Sequence, residues 1–496
     1  MATNVTDSLV VGMISTETVE VFPLVPKEHG LVSLYETVYE SLVFVDEQGF
    51  PQPYLCETWS EAGNGDTWRF TLKKDIFFSD GTPLTAHDVV ASGNYILELA
   101  ETPDIPDNGF YSNMKYIVES FEALDDLTLE VNAKRPYYGV LYAMTFPVIK
   151  ASQLYTPSPL GSGPYKISEF FPLDSMYLSV NEKWWQNAPK VQEITAVFFP
   201  NNDELISAYE FGQLDTVFTR SISSSQYKSG ISSLSLPYET RQLETLLINH
   251  RSFPLESLNI RQALRYAIDV EKISKNVYMN MTTYSNTPIP STSWLYLDES
   301  KDYTYNPEKA KELLEKEGWY DSDNNNVLDK AVGEAVKNFQ LQLYVYEDPI
   351  NDIRFETANL IAEMLGELKI KVVVTEMSNS DVAYQLEENA FDLVLCSFEM
   401  DVVPDVGFFL RKGNEQNYGR YNSENMNNAI DELRQSYRPE DFLFQSQLIQ
   451  QQFTQDIPFI CLFYRRGAVL TRKMYSAKRI LREYSLLDGI ESFNIE

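Results

Sequence analysis

The chain has 496 residues, 44% of them hydrophobic and 13% aromatic, with a net charge of −32 from 72 acidic and 40 basic side chains. This length predicts about two or three domains, and the hydrophobic share excludes a disordered chain. The acidic balance excludes nucleic acid and a polybasic hold on a membrane surface, and it biases the surface toward cationic ligands.

Cys56, Cys396 and Cys461 are widely spaced and odd in number, with no disulfide framework and no CxxC metal pattern. Cys396 and Cys461 lie in apolar runs and read as buried thiols. The longest apolar stretch, "YYGVLYAMTFPVI", is too short for a membrane span and contains Pro147. The opening "MATNVTDS" has no basic and apolar regions of a signal peptide. A cytoplasmic chain and an exported chain with a new start both stay open.

In chain order, "LVVGMI" (9–14) predicts a buried strand. "LVSLYETVYESLVFV" (31–45) has helical spacing and then turns to strand, and Gly49, Pro51 and Pro53 mark a boundary. "DTWRFTLKKDIFFSDGTPLTAHDVV" (66–90) reads as strand, turn and helix start, with Thr85 and Asp88 spaced for an N-cap. "YTPSPLGSGPY" (155–165) is a second boundary, followed by strands over 165–180 and 191–199 and a helix over 201–211. "LETLLINH" (243–250) is a strand, and "NIRQALRYAIDVEKISKNVY" (259–278) predicts one amphipathic helix. From 306 onward helix and strand alternate, as in an α/β lobe, ending on the strand "PFICLFYRR".

Several of these segments resemble, in the same order, those of the family 5 extracellular solute-binding proteins, the oligopeptide and dipeptide receptors of ABC importers. The resemblance rests on "DTWRFTLKKDIFFSDGTPLTAHDVV", "GSGPYKISEF", "VNEKWWQNAPKVQEI", "NIRQALRYAIDVEKI", "NPEKAKELLEKEGW" and "FDLVLCSFEMDVVPD". It implies an α/β, two-lobed, periplasmic-binding-protein-like fold of type II, of the large cluster with an extra subdomain. Its hinge is a pair of crossing strands, expected near Leu246–Leu247 and Phe463–Tyr464. The expected division is 1–245 plus 465–496 for lobe 1, with the extra subdomain at about 51–160, and 246–464 for lobe 2. The resemblance also implies a monomer outside the cytoplasmic membrane, lipid-anchored in its full-length form. Such a protein passes a peptide or other small ligand to permease subunits. An oligosaccharide receptor of the same family is the alternative reading.

No enzyme is expected. His29, His87 and His250 are the only histidines, and none stands in a catalytic frame. Binding candidates centre on the strand "FDLVLCSFEMD", where Ser397, Glu399 and Asp401 are spaced by two and share a face. Adjacent carboxylates call for a cation, with an exposed strand end as the other reading. The resemblance implies that Asp401 holds a ligand ammonium while Ser397 and Glu399 line the ligand backbone. It adds Trp294, Tyr296 and Tyr418 as aromatic loop residues, and His29 joins the ligand-binding set. Dipeptide receptors carry an arginine for the ligand carboxylate where Asp352 stands here, with Arg354 out of register. That departure favours a longer or non-peptide ligand. No cofactor is expected beyond a weak calcium loop in "DSDNNNVLD", where Asp321, Asp323 and Asn325 take alternate positions. Asn326 replaces the usual glycine, and Val332 the closing glutamate.

Overall fold

The computed structural model describes residues 8–15, 21–26, 29–101, 110–227, 233–298, 303–347, 352–473, 481–487 and 489–490. The chain divides into two units. The first comprises Met1–Thr240, Arg434–Phe442 and Arg466–Glu496, and the second comprises Arg241–Leu433 and Leu443–Arg465. Two long strands, Leu234–Ile248 and Phe459–Thr471, each run from one unit into the other. Among the described residues no helix is long and apolar enough to cross a membrane.

In the first unit, the strand Ser8–Ile14 lies between two parallel neighbours, Glu193–Phe199 and Thr216–Thr219. Its apolar run suits that place, because parallel strands are covered on both faces. The hairpin Tyr165–Phe171 and Ser175–Val180 extends this sheet beyond Glu193–Phe199. On the other side, Thr216–Thr219 pairs with Ala468–Thr471. A separate antiparallel sheet runs in the order Cys56–Ala62, Thr67–Leu72, Thr128–Ala133, Val118–Ala123. The helix Ala86–Ala100 accompanies it. Asp88 accepts hydrogen bonds from the Thr85 N–H and hydroxyl at 2.9 Å each, which fixes where that helix begins. In "GSGPY", a Cβ on Gly161 would run into the Val38 carbonyl oxygen, and one on Gly163 would lie 2.7 Å from the Thr37 oxygen. Only glycine lets the two main chains pass this closely.

The second unit is built on the strand Leu393–Glu399. It runs parallel to Gln340–Tyr346, which is parallel to Lys371–Met377, and antiparallel to Gln242–Ile248. Thr282–Tyr284 adds to Phe463–Arg465. Helices Leu258–Ala267, Pro307–Lys316, Ile353–Glu367 and Asn379–Glu387 belong to this unit, as does most of Pro439–Asp456.

Two expectations need correction. The helix predicted over 259–278 is two helices, Leu258–Ala267 and Val270–Asn276. Ile268 is extended, and the Asp269 carboxylate accepts the Lys272 N–H as a fresh N-cap. The apolar spacing persists across the break, so periodicity alone could not reveal it. The helical spacing over 31–45 yields one α-helical turn, Val32–Tyr35, before the strand Val43–Val45. Past Tyr35 the Thr37 and Val38 N–H groups close tight turns on the Leu34 and Tyr35 carbonyls.

His250 gives this unit a pH dependence. Its Nε2 meets the Pro458 carbonyl at 2.8 Å, and its ring lies edge-on to Tyr421. Burial, then the nearby Arg261 guanidinium, hold its pKa down to about 4. The unfolded chain takes up this proton near pH 6.5. The stability from burying a neutral ring is therefore complete above pH 6.5 and is lost as pH falls from 6.5 toward 4. His250→Gln should remove that loss, on the order of 2–3 kcal/mol. Urea unfolding of both proteins at pH 4.5 and 7.5 checks it, and an unchanged difference between them would contradict it.

Candidate functional site

The strand Leu393–Glu399 ends in a polar group assembled from distant parts of the second unit. Antiparallel register sets Gln242 opposite Glu399 and Glu244 opposite Ser397, so all four share a face. Gln242 Nε2 and Arg354 Nη2 each donate to Ser397 Oγ at 3.0 Å, and the Tyr346 hydroxyl lies 3.3 Å away. A serine hydroxyl has one donor and two acceptor positions, so its capacity is filled. What Ser397 can offer a ligand is its main chain.

Arg354 reaches this point from the first turn of the helix Ile353–Glu367. The same Nη2 lies 3.2 Å from Glu244 Oε1, and the guanidinium stacks 4.5 Å from the Tyr346 ring centroid. Arg465 Nη1 lies 3.8 Å from the same oxygen. Glu244 is 1% exposed, with Oε2 lacking a hydrogen-bond partner. Two guanidinium groups thus face a carboxylate this deep, and a buried carboxylate is costly without such partners.

Among the described residues, the strand's other edge is paired over a shorter stretch. Pairing with Gln340–Tyr346 stops at Leu395, while pairing with Gln242–Ile248 continues to Glu399. Among the described residues, 396–398 have no strand partner on this edge. Glu399 is exposed at this edge. Asp401 lies two residues beyond the strand, half-buried, and its Oδ1 accepts the Val403 N–H at 3.0 Å. The chain has therefore left the strand before Asp401, and the shared face holds for Ser397 and Glu399 only.

Tyr418 is half-buried, and burial, then the neighbouring Cys396 thiol, push its phenol pKa up. Trp294 and Tyr296 stand half-buried on the loop after Thr282–Tyr284. His29 begins a 3-10 turn in the first unit, and its side chain lies outside the described part of the structure. Sequence reasoning missed Gln242, Glu244, Tyr346 and Arg465. It noted Arg354 without its partners. Polar residues at alternate positions of a buried strand were the available signal.

At the 321–329 loop the carboxylates of Asp321, Asp323 and Asp329 have oxygens within 4.8 Å of one another. Asn325 instead turns its amide to Asp323 and its carbonyl to the Val327 N–H. Lys369 bonds Asp321 Oδ2 at 2.7 Å and holds that carboxyl below its usual pKa, with the Asn325 and Asn326 main chain contributing.

Residues 51–420 match the family model for bacterial extracellular solute-binding proteins, family 5. The chain belongs to that family. It is 28% identical to the nickel-binding periplasmic protein of Escherichia coli, over 57% of this chain and 56% of that one, about half of its length. It is 23% identical to the oligopeptide-binding protein AppA of Bacillus subtilis, over 92% of this chain and 86% of AppA. The structure of a nickel ABC transporter protein from Bacillus halodurans superimposes with a TM-score of 0.81 at 20% identity, covering 96% of this chain and 98% of that one. The fold is thus the two-lobed α/β fold of periplasmic binding proteins.

Proposed function

We propose that this protein is the ligand-capturing receptor of an ABC importer, acting outside the cytoplasmic membrane, and that its ligand is an oligopeptide. The observation that carries the peptide reading is the strand end at residues 396–398, whose second edge has no strand partner among the described residues, followed by the acidic pair Glu399 and Asp401. An extended peptide can add to such an edge through its own N–H and C=O groups, which gives affinity with little demand on side chains. Its terminal ammonium then meets the acidic pair, with Asp401 as the anchor. Trp294, Tyr296 and Tyr418 contribute apolar walls. Binding, with no bond made or broken, is the whole of the activity, and permease subunits receive the ligand.

Native mass spectrometry of freshly purified protein tests this. The expected result is added mass in the range of short peptides, released on denaturation. Added mass corresponding to hexose units, or to a metal chelate, would overturn the peptide reading.

We also propose a weak calcium ion at the 321–329 loop, supported by the three carboxylates that converge there. Lys369 already supplies one positive charge there, which limits affinity. At calcium tenfold above Kd, stability should rise by about 1.4 kcal/mol. Thermal unfolding with calcium, magnesium or chelator checks it, and Asp329→Asn should abolish the gain. No calcium-specific shift in wild type would contradict it.

A further inference from the structure

The loop that carries Trp294 and Tyr296 is held from behind by one buried side chain. Gln450, on the helix Pro439–Asp456, is 0% exposed. Its Nε2 donates to the Leu295 carbonyl at 2.8 Å and to the Ser446 carbonyl at 3.1 Å. Its Oε1 accepts the Leu297 N–H at 2.9 Å and meets the Thr287 hydroxyl at 3.4 Å. The Leu295 carbonyl can only accept and the Leu297 N–H can only donate, so the amide has one possible orientation. All four of its hydrogen-bonding positions are used.

These contacts fall on either side of Tyr296. Leu295 and Leu297 turn inward, at 0% and 9% exposure, while Trp294 and Tyr296 remain half-exposed. Gln450 therefore sets the phase of the segment. Without this amide the Leu295 carbonyl and the Leu297 N–H would be left unpaired. Further bonds brace the loop upstream. The Tyr464 hydroxyl donates to the Pro288 carbonyl at 2.7 Å, and the Ser285 hydroxyl reaches the Thr287 and Ile289 carbonyls. A leucine would fill the space of Gln450 and bury more apolar surface. A fully satisfied buried amide instead specifies one arrangement of the loop.

We infer that Gln450 is a positioning residue for ligand side-chain selectivity, acting through Trp294 and Tyr296 without touching the ligand. This rests on the peptide-receptor reading, in which those aromatics form part of the ligand wall. It assigns the choice among peptide side chains to a rigid, preset loop and leaves overall affinity to the strand end at 396–401.

The test has two arms. In the first, all six tryptophans are replaced by 5-fluorotryptophan, and the Trp294 fluorine resonance is identified from Trp294→Phe. Gln450→Leu and the isosteric Gln450→Glu should shift or broaden that resonance and leave the others in place. In the second arm, affinities are measured for pentaalanine and for pentaalanine variants carrying one Trp at successive positions. Wild type should prefer one Trp position by about three- to tenfold. Both Gln450 variants should reduce that preference to within about twofold while changing pentaalanine affinity less. In a Trp294→Ala background, Gln450→Leu should change selectivity no further. An unmoved Trp294 resonance in both variants overturns the inference, and so does an equal loss of selectivity in the Trp294→Ala background. If wild type binds no pentapeptide, the peptide reading and the selectivity role fall together. The fluorine arm then still decides whether Gln450 positions Trp294.

Discussion

Replacing Glu40 with alanine should cost the protein about 3–6 kcal/mol of stability, the largest single loss expected in the first unit. Glu40 is 1% exposed. Its Oε1 accepts the Trp184 and Trp185 indole N–H groups at 3.0 and 2.8 Å, and its Oε2 accepts the Ser162 hydroxyl at 2.7 Å. Burial pushes this carboxyl pKa up, and the Trp184, Ser162 and Trp185 bonds oppose the shift. Alanine would leave the buried Trp184 and Ser162 donors without an acceptor, at about 1–3 kcal/mol each, and would also take the acceptor from half-buried Trp185. Glu40→Gln keeps the oxygen that serves both indoles, and the Ser162 hydroxyl can turn to accept from its amide, so about 1 kcal/mol is expected. Urea unfolding of the three proteins at pH 7 separates these cases. Equal losses for Ala and Gln would show that the carboxylate charge is what matters and that one retained acceptor oxygen does not suffice.

Arg354→Ala should be nearly as costly in the second unit, by about 3–5 kcal/mol. It removes the closer of two guanidinium groups from Glu244 and takes a donor from Ser397. The penalty comes mostly from stranding a buried carboxylate, so Glu244→Gln combined with Arg354→Met should cost less than Arg354→Ala alone. If the double variant is the less stable one, the ion pair itself supplies net stability and this account of Glu244 is wrong. Because Ser397 is saturated by these partners, Arg354→Ala should also loosen the strand end and weaken ligand binding.

These two networks show what could be read from the sequence. The motif "VNEKWWQNAPKVQEI" stood out, yet its purpose did not, because Glu40 lies 144 residues before Trp184. In sequence Glu40 looks like the polar face of a helix. It lies instead beyond the single helical turn that ends at Tyr35, turned inward to the indoles. Strands such as Ser8–Ile14 and Leu393–Glu399 were legible because buried parallel strands read as continuous apolar runs. The break at Ile268 was not, since Asp269 can cap a helix or sit on the polar side of one. Arg354 seemed out of register along the chain. Its contact with Ser397 depends on how the helix Ile353–Glu367 packs beside the sheet, which spacing does not encode. Gln450 was invisible for the same reason, as one of several glutamines in "FQSQLIQQQF".

The central claim is that the strand end at residues 396–401 holds an extended peptide, with Asp401 on its ammonium. Titrating an unmodified and an N-acetylated peptide against wild type and Asp401→Ala tests it most directly. A hydrogen-bonded charge is worth about 1.5–3 kcal/mol, so either acetylation or Asp401→Ala should weaken binding by roughly 10- to 100-fold. The two changes should not add, because each removes the same contact. Glu399→Ala should cost less than Asp401→Ala. An oligosaccharide receptor would show no dependence on an amine and a larger loss on changing Trp294 or Tyr418. Wild type binding both peptides with equal affinity would contradict the amine anchor and, with it, the assignment of this strand end as the ligand site.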